Sequence, residues 1–369
     1  MTGALVAAPD APPLALTTSD GFAVPQPGRS FEFPRDHGSH PEFKIEWWYV
    51  TGHLESAERR RFGFQATFFR RAAPRAEDVA ARDPDLLPGQ VYLAHMALLE
   101  VRSGRFLHQE RLNREGWEAD AALGELAVRN GPWSLVMTEP ETETMRLRGS
   151  IRSEAAFELE LVPRKPLVVF GADGVSRKGR SDTAASYYLT FSRLAVTGQL
   201  EWGTETLAVT GQAWMDHEIS SSQLAEDQAG WDWASLQLDD GREVMAYRLR
   251  LKDGGTDPFS TLAWVDRDGA VRHYTAREFS WTTTGTWSSP RSGAVYPLPV
   301  VLVCEDPETG EKTSFRLEPL ALDQELDGAV GGIAYWEGAC RVLNSQGQPI
   351  GVGFVELAGY AGDLAARFQ

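Results

Sequence analysis

A chain of 369 residues with 42% hydrophobic content is long enough for two domains that each bury a core. Its 52 acidic against 36 basic residues leave a net charge of −16, which repels phosphate backbones and anionic lipid surfaces and argues against nucleic-acid binding. No apolar run approaches the roughly twenty residues that a membrane-spanning helix needs, and the twelve tryptophans point to globular order with aromatic surface beyond core filling.

Residues 1–30 are rich in Ala, Pro, Thr and Ser without periodicity and read as a flexible leader that orders near Phe31. The run Ala-Leu-Val-Ala-Ala at 4–8 lacks a basic flank but fits the remnant of a clipped signal peptide. Clipping would make the protein periplasmic or secreted; without it the chain would be cytoplasmic. From Phe43 onward, aromatic and β-branched residues alternate with polar ones, first over 46–51 and then over 61–70, the pattern of paired strands. Residues 71–90 form a polar excursion too long for a tight turn, and segments of that length often cover a pocket. A buried strand resumes over 92–101 and carries His95. Further strands follow with turn residues about every ten positions, the spacing of antiparallel sheets that close as sandwiches or barrels. Residues 165–182 end in a glycine-rich basic loop. It lacks the spacing of a nucleotide-binding loop and no helical pattern follows it, so it reads as a flexible connection between strands. The strand pattern repeats in the second half, and only 364–368 reads as a helical turn. The expected architecture is all-β, with two barrel or sandwich domains in tandem divided between 200 and 225.

Two stretches concentrate chemistry. Asp36 to Leu54 holds three histidines with Glu46, Trp47, Trp48 and Tyr49, and Gly211 to Arg250 holds Trp214, Asp216, His217, Glu218, Trp231, Asp232, Trp233 and Tyr247. Strand alternation puts Trp214, Asp216 and Glu218 on one face and His217 on the other; likewise Glu46 goes with Trp48, and Trp47 with Tyr49. An acid walled by tryptophan keeps its proton towards neutral pH, because an apolar surround disfavours the carboxylate. The two stretches are therefore expected to line one site. His37, His40 and His53 form no recognised metal pattern and no carboxylate completes a ligand set, so neither a metal nor a cofactor is expected. No Gly-x-Ser-x-Gly motif supports a serine hydrolase. Cys304 and Cys340 are either two separate buried thiols or a pair in an oxidising compartment.

Asp-His-Gly-Ser-His-Pro at 36–41, Glu-Trp-Trp-Tyr-Val-Thr-Gly-His-Leu at 46–54, Gly-Gln-Ala-Trp-Met-Asp-His-Glu at 211–218 and Gly-Trp-Asp-Trp-Ala-Ser-Leu-Gln-Leu at 230–238 carry a resemblance. With Tyr-Trp-Glu-Gly at 335–338 and Gly-Phe-Val-Glu-Leu-Ala-Gly-Tyr at 353–360, they resemble the carotenoid 1,2-hydratase family and its lipocalin-like bacterial relatives, many labelled secreted hydrolases. The resemblance implies two lipocalin-like antiparallel β-barrels, 31–215 and 216–369 after the leader, and a hydrophobic isoprenoid-type ligand. It implies Asp216 as proton donor for hydration of a carbon–carbon double bond. His217, Glu218 or Asp232 would orient the water, and alternation favours Glu218 or Asp232. Ligand contacts are expected from Glu46, Trp47, Trp48, Tyr49, His95, Trp214, Trp231, Trp233, Tyr247 and Trp336. Three other readings stay open at this point: a lipid or pigment carrier, a cyclase or isomerase of a lipophilic product, and an envelope-maintenance protein with a protein partner.

Overall fold

The computed structural model describes residues 11–72, 89–222, 224–332, 334–362 and 364. The signal-remnant reading at the N-terminus, the covering segment expected over 71–90 and the helical turn expected over 364–368 fall largely or wholly outside the described residues.

Thirteen strands form the first sheet. In chain order they are β1 (Ile45–Ser56), β2 (Arg61–Arg71), β3 (Val91–Glu100), β4 (Arg105–Arg114), β5 (Ala119–Ala121), β6 (Ala127–Asn130), β7 (Trp133–Glu139), β8 (Thr144–Ile151), β9 (Ala155–Pro163), β10 (Val168–Phe170), β11 (Ser176–Arg177), β12 (Ala185–Trp202) and β13 (Glu205–Ser222). Their spatial order is β4-β3-β2-β1-β13-β12-β9-β8-β7-β6-β5, with β10 and β11 also paired to β12. Alternation rolls this sheet around an apolar interior. Trp48, Val50 and Leu54 of β1 point inward to meet Phe62, Phe64 and Phe68 of β2 and Met96 and Leu98 of β3. The two outer edges meet through side chains. Asn113 donates to Asn130 (2.7 Å), Asn130 donates to the Tyr92 carbonyl (3.1 Å), and the Arg111 guanidinium lies 5.0 Å from the Trp133 ring centre. That leaves little edge open to another chain.

The second sheet contains β14 (Gln228–Leu238), β15 (Glu243–Leu251), β16 (Thr261–Val265), β17 (Val271–Thr275) and β18 (Ser280–Thr283). After the ribbon β19 (Trp287–Ser288) and β20 (Val295–Tyr296), it continues with β21 (Val300–Glu305), β22 (Lys312–Pro319), β23 (Glu325–Leu326), β24 (Tyr335–Leu343) and β25 (Pro349–Ala358). Its order is β17-β16-β15-β14-β25-β24-β22-β21-β18, and it wraps a second core that includes Leu236, Trp264, Tyr296, Trp336 and Leu357. Cys304 and Cys340 are free thiols buried in that core. The protein is thus all-β, two lipocalin-like antiparallel barrels in tandem. Among the described residues the one helical element is a 3-10 turn at Arg35–His37, and no helix is long and apolar enough to cross a membrane.

Two boundaries differ from the sequence reading. β13 runs unbroken through 215 and 216, so the change of sheet falls between Ser222 and Gln228. Residues 11–30 are anchored rather than loose. Phe22 and Val24 are buried, Ser221 Oγ donates to the Ala23 carbonyl (2.6 Å), and the Gln26 amide donates to Tyr187 (2.8 Å). Two isolated apolar residues give no periodic signal, yet they suffice to dock a short extended segment.

The barrels pack on each other through Tyr49, Trp214, Trp233, Met245, Tyr247, Ala339 and Phe354. A Cβ on Gly63 of β2 would stand 2.5 Å from Cβ of Ala339 on β24, so glycine is what lets the two walls touch. A buried ionic lock adds to the contact. Glu243 of β15 accepts from Lys165 (2.6 Å), Arg193 (2.5 Å) and Ser192 (3.2 Å) of the first barrel. The register of β12 shifts between Phe191 and Leu194. A bulge of this kind lets neighbouring residues face the same way, as Ser192 and Arg193 do here.

Candidate functional site between the barrels

A cavity of about 500 Å³ lies where the two sheets face each other. Its first wall comes from the outer face of the N-terminal barrel: Trp47 and Tyr49 of β1, His95 of β3, Tyr188 of β12, and Asp216 and Glu218 of β13. The second wall is Trp231 and Trp233 of β14, Tyr247 of β15, Tyr335 and Glu337 of β24, and Glu356 of β25. The remaining lining includes Phe69, Leu93, Leu112, Leu249 and Val330, which makes the space largely apolar with a few acids set into it.

Asp216 sits at the centre of the long strand β13, paired with Tyr49 on one side and Thr190 on the other. Thr190 Oγ1 (2.6 Å) and Trp214 Nε1 (2.7 Å) donate to its Oδ1, and the Tyr188 hydroxyl (2.7 Å) donates to Oδ2. The Tyr188 oxygen in turn accepts from Trp233 Nε1 (2.9 Å), which ties the acid to the second barrel. Burial pushes the Asp216 carboxyl up to about 7. The bonds from Thr190, Tyr188 and Trp214 oppose that rise, and the neighbouring Glu218 charge adds to it. Two residues along the same face, Glu218 accepts from Lys178 Nζ (2.8 Å). The Lys178 amine lies 4.1 Å from the Tyr247 ring centre and 4.7 Å from that of Tyr188. Burial alone would lower this amine, but the Glu218 carboxylate beside it raises it, so it stays a cation.

The opposite wall holds two more carboxyls. Glu337 and Glu356 are directly paired across β24 and β25, and Tyr49 donates to Glu337 Oε1 (2.5 Å). Burial pushes Glu356 up to about 8 and Glu337 well above the usual carboxylate range, and the repulsion between the two acids adds to the rise in Glu337. His95 Nδ1 lies 2.7 Å from the Tyr335 hydroxyl, and burial lowers the imidazole to about 4, so it is neutral at pH 7.

Of the residues singled out from sequence, Asp216, Glu218, Trp47, Tyr49, His95, Trp231, Trp233 and Tyr247 line this cavity. Trp214 stands behind Asp216 as its hydrogen-bond donor. The others do not reach it. Glu46, Trp48 and His217 point into the first barrel, the side that alternation assigns to Glu46, Trp48 and His217 alike. There Glu46 Oε1 lies 2.9 Å from both His217 Nε2 and His40 Nδ1, Arg70 donates to Oε2 (2.9 Å), and Trp48 stacks on His217 with ring centres 4.9 Å apart. Although its burial alone would raise it, the His217, His40 and Arg70 partners hold Glu46 well below the usual carboxylate range. His40, Glu46 and His217 offer ligand atoms within 4.8 Å of one another, so the fold does supply a carboxylate that sequence spacing did not reveal. His40 Nδ1, Glu46 Oε1 and His217 Nε2 are engaged with one another, His40 Nε2 lies 3.1 Å from Asp36 Oδ1, and His217 Nδ1 has no hydrogen-bond partner among the described residues. Asp232 and Trp336 face the interior of the second barrel. Asp232 is bound by Arg248 (2.8 Å), Arg250 (3.0 Å) and Tyr360 (3.0 Å), and Trp336 donates to the Leu322 carbonyl (2.7 Å). Neither His217 nor Asp232 is therefore placed to orient a water at Asp216.

Sequence reasoning passed over Tyr188, Thr190, Lys178, Tyr335, Glu337 and Glu356. Alternation along β12 and β24 contains a signal for most of them, since residues two apart share a face. Lys178 has none. It lies on the segment read as a flexible loop, which folds back through β10 and β11 onto β12.

The site is thus an apolar cavity between two lipocalin-like barrels with a raised carboxyl set into its wall. The chain belongs to the AttH-like family, which it matches over residues 24–360. A crystal structure of a candidate AttH from Nitrosomonas europaea is 38% identical, with a TM-score of 0.81, covering 92% of this chain and 100% of that one. Kievitone hydratase from Nectria haematococca shares the fold at 14% identity, with a TM-score of 0.67 over 96% of this chain and 98% of its own. CghA does so at 13% identity and a TM-score of 0.54, over 94% and 98%. No curated protein sequence matches the chain.

Proposed function

We propose that the protein binds a lipophilic small molecule between its barrels and adds water across a carbon–carbon double bond, with Asp216 as the acid. The observation that carries this reading is a carboxyl that burial holds near neutrality, fixed by three donors and facing an apolar cavity. In the forward step the Asp216 proton passes to one alkene carbon, whose π pair forms the new C–H bond and leaves a carbocation on the other. The faces of Trp231, Trp233 and Tyr247 stabilise that charge by about 1 kcal/mol or more each in a desolvated site. A water held by Glu218 attacks the cation, Glu218 takes its proton, and exchange with solvent restores both acids. The fold shared with a hydratase supports the reaction class. The sequence motifs resembling carotenoid 1,2-hydratases support an isoprenoid double bond as the finer form of the reading.

The test is to extract lipophilic ligands from protein purified from its native host and incubate them with fresh protein in isotopically labelled water. The expected result is a product heavier by one labelled water, with Asp216→Asn losing about 100-fold or more in rate while ligand affinity stays within a few-fold. A ligand recovered unchanged, with Asp216→Asn indistinguishable from the wild type, would show a carrier instead.

A further inference from the structure

The acids of the second barrel have no part in the chemistry proposed at Asp216, yet their arrangement is specific. Glu337 and Glu356 lie opposite each other on antiparallel strands with both side chains facing the cavity. Each is held by an aromatic donor, Tyr49 of the facing barrel for Glu337 Oε1 and Trp231 of its own barrel for Glu356. Glu337 is 1% exposed, and its second oxygen, Oε2, has no hydrogen-bond partner. A buried polar atom left without a partner is costly. A pure hydrocarbon in the cavity would leave that oxygen unsatisfied.

We infer that the cavity selects a lipophile bearing a hydroxyl group, which pairs with Glu337 Oε2 while the apolar remainder lies against Trp47, Phe69 and Leu93. A hydroxyl fits because it both donates and accepts, so it can pair with this carboxyl whichever of the two glutamates holds a proton. Like-charged carboxylates directly opposite on neighbouring strands repel, so the pair carries a proton between them rather than two charges. The polar end of the ligand is thereby fixed at the second barrel and its body extends towards Asp216. This inference rests on the proposed use of the cavity as a lipophile site and names the class of molecule it takes.

Quenching of cavity tryptophan fluorescence tests it with a matched pair of probes, farnesol and its parent hydrocarbon farnesene. The wild type is expected to bind the alcohol about tenfold more tightly than the hydrocarbon. Glu337→Leu should erase that preference by weakening the alcohol alone, and Glu337→Gln, which keeps a hydrogen-bonding group, should retain most of it. Equal affinity of the wild type for both probes overturns the hydroxyl assignment and leaves the lipophile site standing. So does a Glu337→Leu protein that keeps the preference. If neither probe quenches the wild type, the assignment and the cavity reading fall together. Because the wild-type comparison needs no variant, a Glu337→Leu chain that fails to fold does not decide the outcome.

Discussion

Asp216 keeps its proton near neutrality because its fold removes water from it without supplying a cation in return. Lys178, the nearest buried amine, is committed to Glu218. Protonation chemistry at this residue has a definite pH signature. With the carboxyl at about 7, turnover should be level in mild acid and fall about tenfold per pH unit well above neutrality, which a pH–rate profile of kcat checks. Stability follows the same group with a worked sign. A carboxyl near 3.9 in the unfolded chain and raised when folded binds more protons in the native state between those values, so it destabilises the fold progressively as pH rises from about 4 to about 7. Asp216→Asn removes that cost. The Tm of the variant minus that of the wild type should therefore be larger at pH 8 than at pH 5, and a difference independent of pH would mean that Asp216 is ionised throughout.

At the scale of elements, β12 and β13 are 18 residues each and are continuous past the ends of their neighbours. Their length lets one strand pair serve two purposes, closing the first barrel with one face and lining the cavity with the other. The pairing of Thr190 with Asp216 across these strands is the reason a β-branched alcohol can tune the acid. Thr190→Val keeps shape and β propensity but deletes one donor to the carboxylate. It should raise the Asp216 pKa by about 1 unit, moving the alkaline limb of the pH–rate profile upward. A downward move would show that the hydroxyl does not stabilise the ionised form. Glycine allows β1 and β13 to approach closely, since a Cβ on Gly211 would lie 1.9 Å from the His53 carbonyl oxygen.

Over the whole molecule, the cavity exists only while the barrels stay docked. Many buried polar links hold them, among them Tyr49 to Glu337, Trp233 to Tyr188, His95 to Tyr335, Gln237 to the Ser192 and Ala213 carbonyls (2.8 Å each), His53 to the Gly353 carbonyl (3.0 Å), Glu110 to the Val330 and Gly331 amides, and the lock at Glu243. Removing one member of a buried ionic group strands its partners without counter-charge. Glu243→Gln is expected to cost about 3 kcal/mol in denaturant unfolding and to weaken ligand binding, with the far-UV spectrum of the sheets preserved. Full retention of stability and binding would show that the lock at Glu243 is not what holds the barrels together.

Much of this was legible in the chain itself. Period-two alternation and regular turns specify an all-β protein of two barrel or sandwich units, because side-chain direction in a strand depends only on local geometry, and the family resemblance pointed to barrels. The same rule placed Asp216 and Glu218 on one face, Trp47 and Tyr49 on one face, and His217 away from them. Which face meets solvent, core or a second barrel is not local. Asp232 shares its strand with Trp231 and Trp233 but turns inward to Arg248 and Arg250, as its odd place in the alternation requires once Trp231 and Trp233 face the cavity. Lys178, Glu337 and Glu356 join Asp216 only through docking of segments more than a hundred residues apart in sequence for the glutamates and through a folded-back loop for the lysine. The sequence by itself determined the strands and the acid at 216. Tertiary packing decided that this acid lies buried beside an apolar space between two barrels, which is what raises its pKa.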